Sequence, residues 1–208
     1  TPAFGLELAA GNIIYEINIV NTSGLSGNTM IPFKVPNVEE GTTSIGDIDN
    51  DGLLDVVVLN RSQDNRGLWA YNPRTLKLIA SKPENLLFGT GVLASIGDVN
   101  VDCMTDIVVP HLGQIVVFTY NGSSELEVLW QMNGAGVGLR GASFFDFDQN
   151  GTNEIVLAAR DKVKIFDGND GTLVASSFPI LLVDVHLQPP IISDVDGDNE
   201  AEIIALLN

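Results

Sequence analysis

The sequence predicts an all-β protein organised as a β-propeller of four-stranded blades. One acidic segment recurs four times at intervals of about 50 residues, and each copy leads into short β-branched runs separated by turn residues. A period of about 50 residues is the length of one four-stranded blade. The 208 residues contain no evident linker and fit a single all-β domain.

The strands of each repeat follow its acidic segment in order. We label the strand before the acidic segment A and the later strands B, C and D. Runs of β-branched and aromatic residues, bounded by turn residues such as Asn121-Gly122, predict the positions of B, C and D. These positions are 55–59, 67–71 and 76–81; 106–109, 114–120 and 126–130; and 154–159, 162–166 and 173–177.

The two ends of the chain predict half blades. The chain begins on a C strand at residues 12–20 and ends on a B strand. The predicted units are a C-D half blade over 1–41, complete blades over 42–91, 92–139 and 140–189, and an A-B half blade over 190–208. Two arrangements stay open, because the halves can pair to close a four-bladed propeller or the chain can be an arc of a larger ring.

The charge balance excludes several partners. There are 27 Asp and Glu residues against 10 Lys and Arg residues, for a formal net charge of −17. Nucleic acid and anionic lipid surfaces both select cationic proteins, so neither is an expected partner. The sequence contains no run of 18 apolar residues, so it does not predict insertion into a membrane. The hydrophobic content of 45% nevertheless predicts a folded chain.

The acidic segments predict four metal-binding loops. Oxygen-bearing side chains recur at positions 1, 3, 5 and 9, and position 7 would add a main-chain carbonyl. A curled loop turns alternate residues toward one point, where Ca²⁺ takes six to eight oxygen ligands. The predicted ligands are Asp47, Asp49, Asp51, Leu53 and Asp55 in loop 1; Asp98, Asn100, Asp102, Met104 and Asp106 in loop 2; Asp146, Asp148, Asn150, Thr152 and Glu154 in loop 3; and Asp194, Asp196, Asp198, Glu200 and Glu202 in loop 4.

Other metal sites do not fit the pattern. An EF-hand loop closes with a Glu at position 12 and lies between helices. Position 12 is apolar in all four loops: Val58, Val109, Leu157 and Ala205. Two histidines, His111 and His186, and the single Cys103 are too few for a transition-metal site.

The four loops are not expected to bind equally. Position 6 makes a sharp turn that favours a positive φ, which Gly52 and Gly151 adopt freely and Asn199 tolerates. Cys103 at this position does not suit the turn. Of up to four calcium ions, we therefore expect the one in loop 2 to bind most weakly.

The segment from Asp47 to Asp55, placed between two strands and repeated, resembles the FG-GAP repeats of integrin alpha-chain propellers. It also looks like related repeats of bacterial surface proteins and some fungal lectins. Phe88-Gly89 can be read as the Phe-Gly of the motif, whereas the Gly-Ala-Pro part is missing. The resemblance implies calcium loops that rigidify the propeller without chemistry, and a ring that usually has seven blades. It does not imply integrin-type ligand recognition.

These observations favour a calcium-stabilised module that mediates adhesion to a protein partner and is not an enzyme. We expect it outside the cell, secreted or on the surface, with the remainder of a larger propeller as a further partner in the arc arrangement. The alternative is a lectin or the propeller of a polysaccharide-active enzyme. Its candidate sugar-binding aromatics are Trp69, Tyr71, Tyr120 and Trp130, although large aromatics on strands mostly pack in the core.

Overall fold

The structure, a computed structural model, describes residues 6–10, 13–18, 23–24, 26–39, 41–62, 64–83, 92–111, 113–133, 141–159, 162–179 and 189–205. Within these ranges, all helix or strand structure is β-strand, and the strands form five antiparallel sheets. The predicted all-β fold with four-stranded units is therefore confirmed. No helix in the described ranges is long and apolar enough to cross a membrane.

Neighbours in sequence are neighbours in each sheet. The first sheet contains β1 (Leu6–Ala10), β2 (Ile13–Asn18) and β3 (Thr29–Lys34). The three four-stranded sheets contain β4 (Gly41–Gly46), β5 (Asp55–Asn60), β6 (Gly67–Tyr71) and β7 (Leu78–Pro83); β8 (Ser95–Gly97), β9 (Asp106–His111), β10 (Gln114–Thr119) and β11 (Glu127–Met132); and β12 (Ser143–Phe145), β13 (Glu154–Ala158), β14 (Val163–Phe166) and β15 (Leu173–Ser176). The last sheet contains β16 (Ile191–Ser193) and β17 (Glu202–Ile204).

The first sheet differs from the predicted C-D half blade. It has three strands, because β1 pairs with β2 in a register that runs from Leu6 opposite Ile17 to Ala10 opposite Ile13. The sequence prediction placed its first strand at 12–20 and none before it, so it missed β1. The other predicted unit boundaries stay predictions.

The B strand of each four-stranded sheet is buried on both faces. In β5, Val56 and Val58 pack in one cluster with Ile14 of the first sheet, whereas Val57 and Leu59 pack with β9 of the next sheet. Strand β9 makes the same double contact: Ile107 and Val109 pack with β5, and Val108 packs with β13. Full burial of each such side chain stabilises the fold by roughly 1.5–3 kcal/mol.

The A strands of successive sheets are joined by hydrogen bonds that involve hydroxyl groups. Thr42, Ser44 and Ser143 donate to carbonyls just before the A strand of the next sheet, and the Ser95 hydroxyl accepts an N–H from the same place. The pairs are Thr42 with Val92 (2.7 Å), Ser44 with Ala94 (2.5 Å), Ser95 with Ala142 (2.7 Å) and Ser143 with Pro190. The close approach requires glycine at residue 97, where a Cβ atom would lie 2.9 Å from the Phe144 ring.

The outer edges of the second and third sheets are joined as well. The Ser81 N–H donates to the Ser124 carbonyl, and the Leu126 N–H donates to the Ser81 carbonyl, each at 3.0 Å. Lys82 and Glu125 form an ion pair at 2.7 Å beside these bonds. Hydrogen bonds at the inner and outer strands thus hold the face-to-face packing in register.

Substitution of the buried Leu59 tests the packing between sheets. We expect Leu59→Ala to lower the free energy of unfolding by about 2–5 kcal/mol, because it leaves a cavity between two sheets. Leu54→Ala removes a leucine that is 63% exposed and is the matched control, with an expected change below about 0.5 kcal/mol. Urea unfolding measures both, and equal effects would contradict the sheet-against-sheet core.

Candidate metal sites

All four acidic loops connect an A strand to a B strand. Loop 1 (residues 47–55) joins β4 to β5, and loops 2 (98–106), 3 (146–154) and 4 (194–202) do the same in the later sheets. The acid at position 9 is the first residue of the B strand and lies opposite the last residue of the A strand, as in the pair Gly46 and Asp55. The closing acid is therefore part of the ladder as well as of the loop.

The first aspartate of each loop holds the loop main chain. The Asp47 carboxylate accepts hydrogen bonds from the N–H groups of positions 5 and 6, at 3.1 and 2.9 Å. Asp98 and Asp146 bind the same two positions of their loops, and Asp194 binds positions 4 and 6. These shared contacts give the four loops one common curl.

The closing acid ties the opposite side of each loop. One of its carboxylate oxygens accepts a hydrogen bond from the N–H of position 2 in every loop. The distances are 3.0 Å for Asp55, 3.1 Å for Asp106, 2.7 Å for Glu154 and 2.9 Å for Glu202. The second carboxylate oxygen is not used by this contact.

Three carboxylates converge in three of the loops. The grouped residues occupy positions 1, 3 and 9, and each offers an oxygen within 4.8 Å of the other two. They are Asp47, Asp49 and Asp55; Asp146, Asp148 and Glu154; and Asp194, Asp196 and Glu202. Among the described residues, loop 2 has no such group of three acids, since its position 3 is the amide Asn100.

The other predicted ligands lie outside these groups. At position 5, Asp51 turns one oxygen to the N–H of position 7 at 2.8 Å, and Asp102, Asn150 and Asp198 do the same. Their role as ligands stays a prediction. The same holds for the carbonyl groups of position 7, which belong to Leu53, Met104, Thr152 and Glu200.

The loop backbone adopts a positive φ at two positions. Position 6 has φ of +83° at Gly52, +69° at Cys103, +92° at Gly151 and +69° at Asn199. Cys103 therefore makes the turn that it was expected to disfavour, and loop 2 keeps the common curl. Position 4 is also positive in every loop, which the sequence did not predict, and in loop 2 it is the β-branched Val101 at +57°. Loop 2 carries the most strained backbone.

The closing acids of loops 1 and 2 are buried with an oxygen unpaired. Asp55 and Asp106 are both 0% exposed, and Oδ1 of each has no hydrogen-bond partner. A buried, unpaired carboxylate oxygen is costly unless a proton or a cation compensates it. Burial raises the pKa of each group to about 6, with smaller contributions from the neighbouring loop aspartates. At Asp106 the Thr119 side chain partly offsets the rise.

The remaining shifts point the same way. Burial, followed by the charges of Asp148 and Asp146, raises the pKa of Glu154. Burial, followed by the charge of Asp51, raises the pKa of Asp49. Loops 1, 2 and 3 thus concentrate negative charge around an incompletely solvated point. The donor set consists of carboxylate and amide oxygens, which is the chemistry of a site for a hard cation.

The residues predicted for other chemistry lie elsewhere. Trp69, Tyr71 and Trp130 are buried, and Tyr120 packs against the core between the second and third sheets. These aromatics therefore fill the core, as their position on strands predicted. His111 is buried, and burial lowers its pKa. His186 and Phe88-Gly89 lie outside the described residues.

The family comparison agrees with the loop pattern. Residues 47–109 match the family model described as an FG-GAP-like repeat. These residues run from the first ligand position of loop 1 to strand β9, so they include loops 1 and 2 and the strands between them. The resemblance drawn from the sequence is thereby confirmed. No curated protein gives a match.

One solved structure agrees with the fold, and a second gives a weaker alignment. A lectin of Agrocybe aegerita, described as recognising non-reducing terminal N-acetylglucosamine, aligns with a TM-score of 0.53 and 14% identity over 94% of this chain and 56% of its own. The V. cholerae biofilm matrix protein Bap1 aligns with a TM-score of 0.40 and 16% identity over 88% of this chain and 34% of its own. The chain thus spans only part of the length of either protein.

The raised pKa values predict how the metal-free protein responds to pH. Asp55 and Asp106 bind protons more tightly folded than unfolded, so stability is greatest below pH 4 for these groups and falls as pH rises toward 6. We expect a loss of about 1–2 kcal/mol for each group after allowance for solvent screening. Urea unfolding in EDTA between pH 4.5 and 7 measures it.

The variant Asp55→Asn isolates one of these contributions. It keeps the shape of the side chain and removes its titration, so the variant should lose less stability than the wild type over the same pH range. Asp64→Asn, at an exposed aspartate outside the loops, is the control and should follow the wild-type curve. Parallel curves for Asp55→Asn and the wild type would contradict the raised pKa of Asp55.

Proposed function

From the FG-GAP-like repeat at residues 47–109, we propose that the chain is a calcium-stabilised β-propeller module that acts outside the cell by binding a protein partner. One observation carries the calcium part of the proposal. The closing carboxylates of loops 1 and 2 are fully buried at the foot of an acidic loop, and each keeps one oxygen without a hydrogen-bond partner. A cation at the centre of the loop would remove the cost of that arrangement.

The donor geometry favours calcium among the hard cations. Each loop offers side-chain oxygens at four alternate positions and a carbonyl at position 7, which suits the six to eight ligands of Ca²⁺. Mg²⁺ demands a tight octahedron and retains several water ligands, so it would bind fewer of the oxygen donors of each loop than Ca²⁺ does. In loop 1 the ligands would be Asp47, Asp49, Asp51, Asp55 and the Leu53 carbonyl. The bound ion would supply charge neutralisation, and no bond of a substrate would change.

The extracellular location follows from the strength of such sites. Extracellular calcium modules bind with dissociation constants of roughly 0.1–1 mM, so they fill only where free calcium is abundant. A site at tenfold excess over its dissociation constant adds about 1.4 kcal/mol to stability. Several loops together would make folding of the module depend on the calcium outside the cell.

The chain is proposed to act by binding rather than by catalysis. Its convergent carboxylates are committed to the loops, where they pair with loop N–H groups. The face that carries these loops would present a rigid surface to a partner. The FG-GAP resemblance implies calcium loops that rigidify the propeller without chemistry, which is consistent with this role.

A lectin is the second candidate function. The Agrocybe aegerita lectin aligns with 94% of this chain, and this likeness supports a common fold. The aromatics first considered for sugar contact are core residues, so a sugar site would need other side chains. Glycan-array binding in calcium and in EDTA decides this point. Specific binding above the level of a denatured control would favour the lectin, and a blank array would leave the protein-binding function.

Chelation tests the proposed function directly. We expect EDTA to lower the melting temperature, because each filled site contributes about 1.4 kcal/mol at tenfold excess of calcium. Asp49→Ala should reduce the difference in melting temperature between calcium and EDTA by the contribution of loop 1. Asp64→Ala, which removes an exposed acid outside the loops, should leave that difference unchanged. Equal melting in calcium and EDTA would disprove the proposal.

A further inference from the structure

Loops 2 and 3 touch each other through one residue. Asn153, at position 8 of loop 3, donates from Nδ2 to the main-chain carbonyl of Asp98 at 2.8 Å. Its own N–H donates to the Val99 carbonyl at 3.3 Å. Both acceptors belong to positions 1 and 2 of loop 2. We propose that loops 2 and 3 bind calcium as a coupled pair, with Asn153 as the positioning residue; this rests on the calcium binding proposed above.

The neighbours of Asn153 give the contact its effect. Thr152 and Glu154, on either side of it, are predicted ligands of loop 3, and Asp98 is the first predicted ligand of loop 2. An ion held by the Thr152 carbonyl and the Glu154 carboxylate would fix the residue between them. That residue in turn holds the main chain of Asp98. Occupancy of loop 3 therefore favours the binding conformation of loop 2.

The turn that follows strand β14 packs tightly against the contact between loops 2 and 3. Gly168 sits against the carbonyls of both Val99 and Asn153, where a Cβ atom would collide with each of them. The Trp130 indole, from the sheet of loop 2, donates to the Gly168 carbonyl at 2.7 Å. The sheets of loops 2 and 3 thus meet in a packed contact. Because the contact leaves little room for movement, ordering of one loop restrains the main chain of the other.

Loop 2 is the member of the pair that needs support. Its main chain holds Val101 and Cys103 at φ of +57° and +69°, a conformation that residues other than glycine rarely adopt. Loop 3 has glycine at position 6 and three converging acids, whereas loop 2 has an amide at position 3. We therefore expect loop 3 to fill first and loop 2 to follow.

The other loops lack this link. Position 8 is Leu54 in loop 1 and Ala201 in loop 4, neither of which has a side-chain donor. Thr105 of loop 2 makes no bond to loop 1 among the described contacts. Among the hydrogen bonds of the described residues, loop 1 is joined to loop 2 by the Asn50 side chain, which donates to the Cys103 carbonyl at 3.3 Å. That carbonyl is not a predicted ligand, so coupling from loop 1 should be weaker.

The single cysteine allows loop 2 to be observed separately. Cys103 is exposed and is the one cysteine of the sequence. Its N–H donates to the Asp98 carboxylate at 2.9 Å, so ordering of Asp98 should slow the reaction of the thiol with Ellman's reagent. The experiment measures this rate against free calcium, while calorimetric titration of the same protein with calcium gives the total number of ions bound.

A double-mutant cycle measures the coupling. We expect Asn153→Ala to raise the calcium concentration that half-protects Cys103 by about fivefold or more, the usual size of a coupling between sites. Asp148→Ala, which impairs loop 3, should raise it by a similar factor, and the double variant should add little to either. Asn169→Ala, at an exposed asparagine of the nearby turn, is the control and should leave the midpoint unchanged. Asn153→Ser replaces the Nδ2 donor with a hydroxyl that lies one bond nearer the main chain, so it should act like Asn153→Ala.

The outcomes separate coupling from calcium binding itself. Unchanged midpoints in both Asn153 variants, or additive shifts in the double variant, overturn the coupling. If calcium does not protect Cys103 in the wild-type protein, the coupling is also overturned. If calorimetry still shows that this protein binds calcium, the proposed function stands. Absence of calcium binding by calorimetry overturns both.

Discussion

The carboxylate that ends each A-B loop and begins each B strand is the constraint on which the other features depend. In the first three loops this acid is at most 3% exposed. One oxygen fixes the loop by accepting an N–H from position 2, while the backbone of the same residue begins a strand buried on both faces. A charge is therefore held where the core begins. The N–H of position 2 lowers the cost of that charge, whereas the neighbouring loop aspartates add to it.

Much of this arrangement could be read from the sequence. The recurrence of Asp at position 1 and of an acid at position 9 identified the loops, and the β-branched runs after Asp55 and Asp106 identified the B strands, which the structure shows to be fully buried. The grouping within a loop was less accessible. Positions 3 and 5 look equivalent in the sequence, and Asp49 and Asp51 each accept the N–H of the residue two positions on, yet the converging group of loop 1 contains Asp49 and not Asp51.

Contacts between repeats were the other feature beyond the reach of the sequence. The bond from Asn153 to Asp98 joins residues 55 positions apart, and no periodic pattern marks Asn153, because position 8 differs in every loop. Strand β1 (Leu6–Ala10) was missed as well, because the sequence prediction assigned no strand before residue 12. Repeats predict what the units share, and the differences between units emerge only when the units pack.

The double role of the closing acid also limits how these loops can change in evolution. Asp55 is paired with Gly46 across the ladder, so one residue inserted or deleted in the loop would shift the strand by one position. Every side chain of β5 would then move to the opposite face, and Val56 and Val57 would exchange the sheets that they contact. In the three four-stranded sheets, the D strands begin instead with the exposed residues Leu78, Glu127 and Leu173. Variation in length should therefore accumulate in the turns between C and D strands, while the loops keep a constant length of nine residues from first to closing acid.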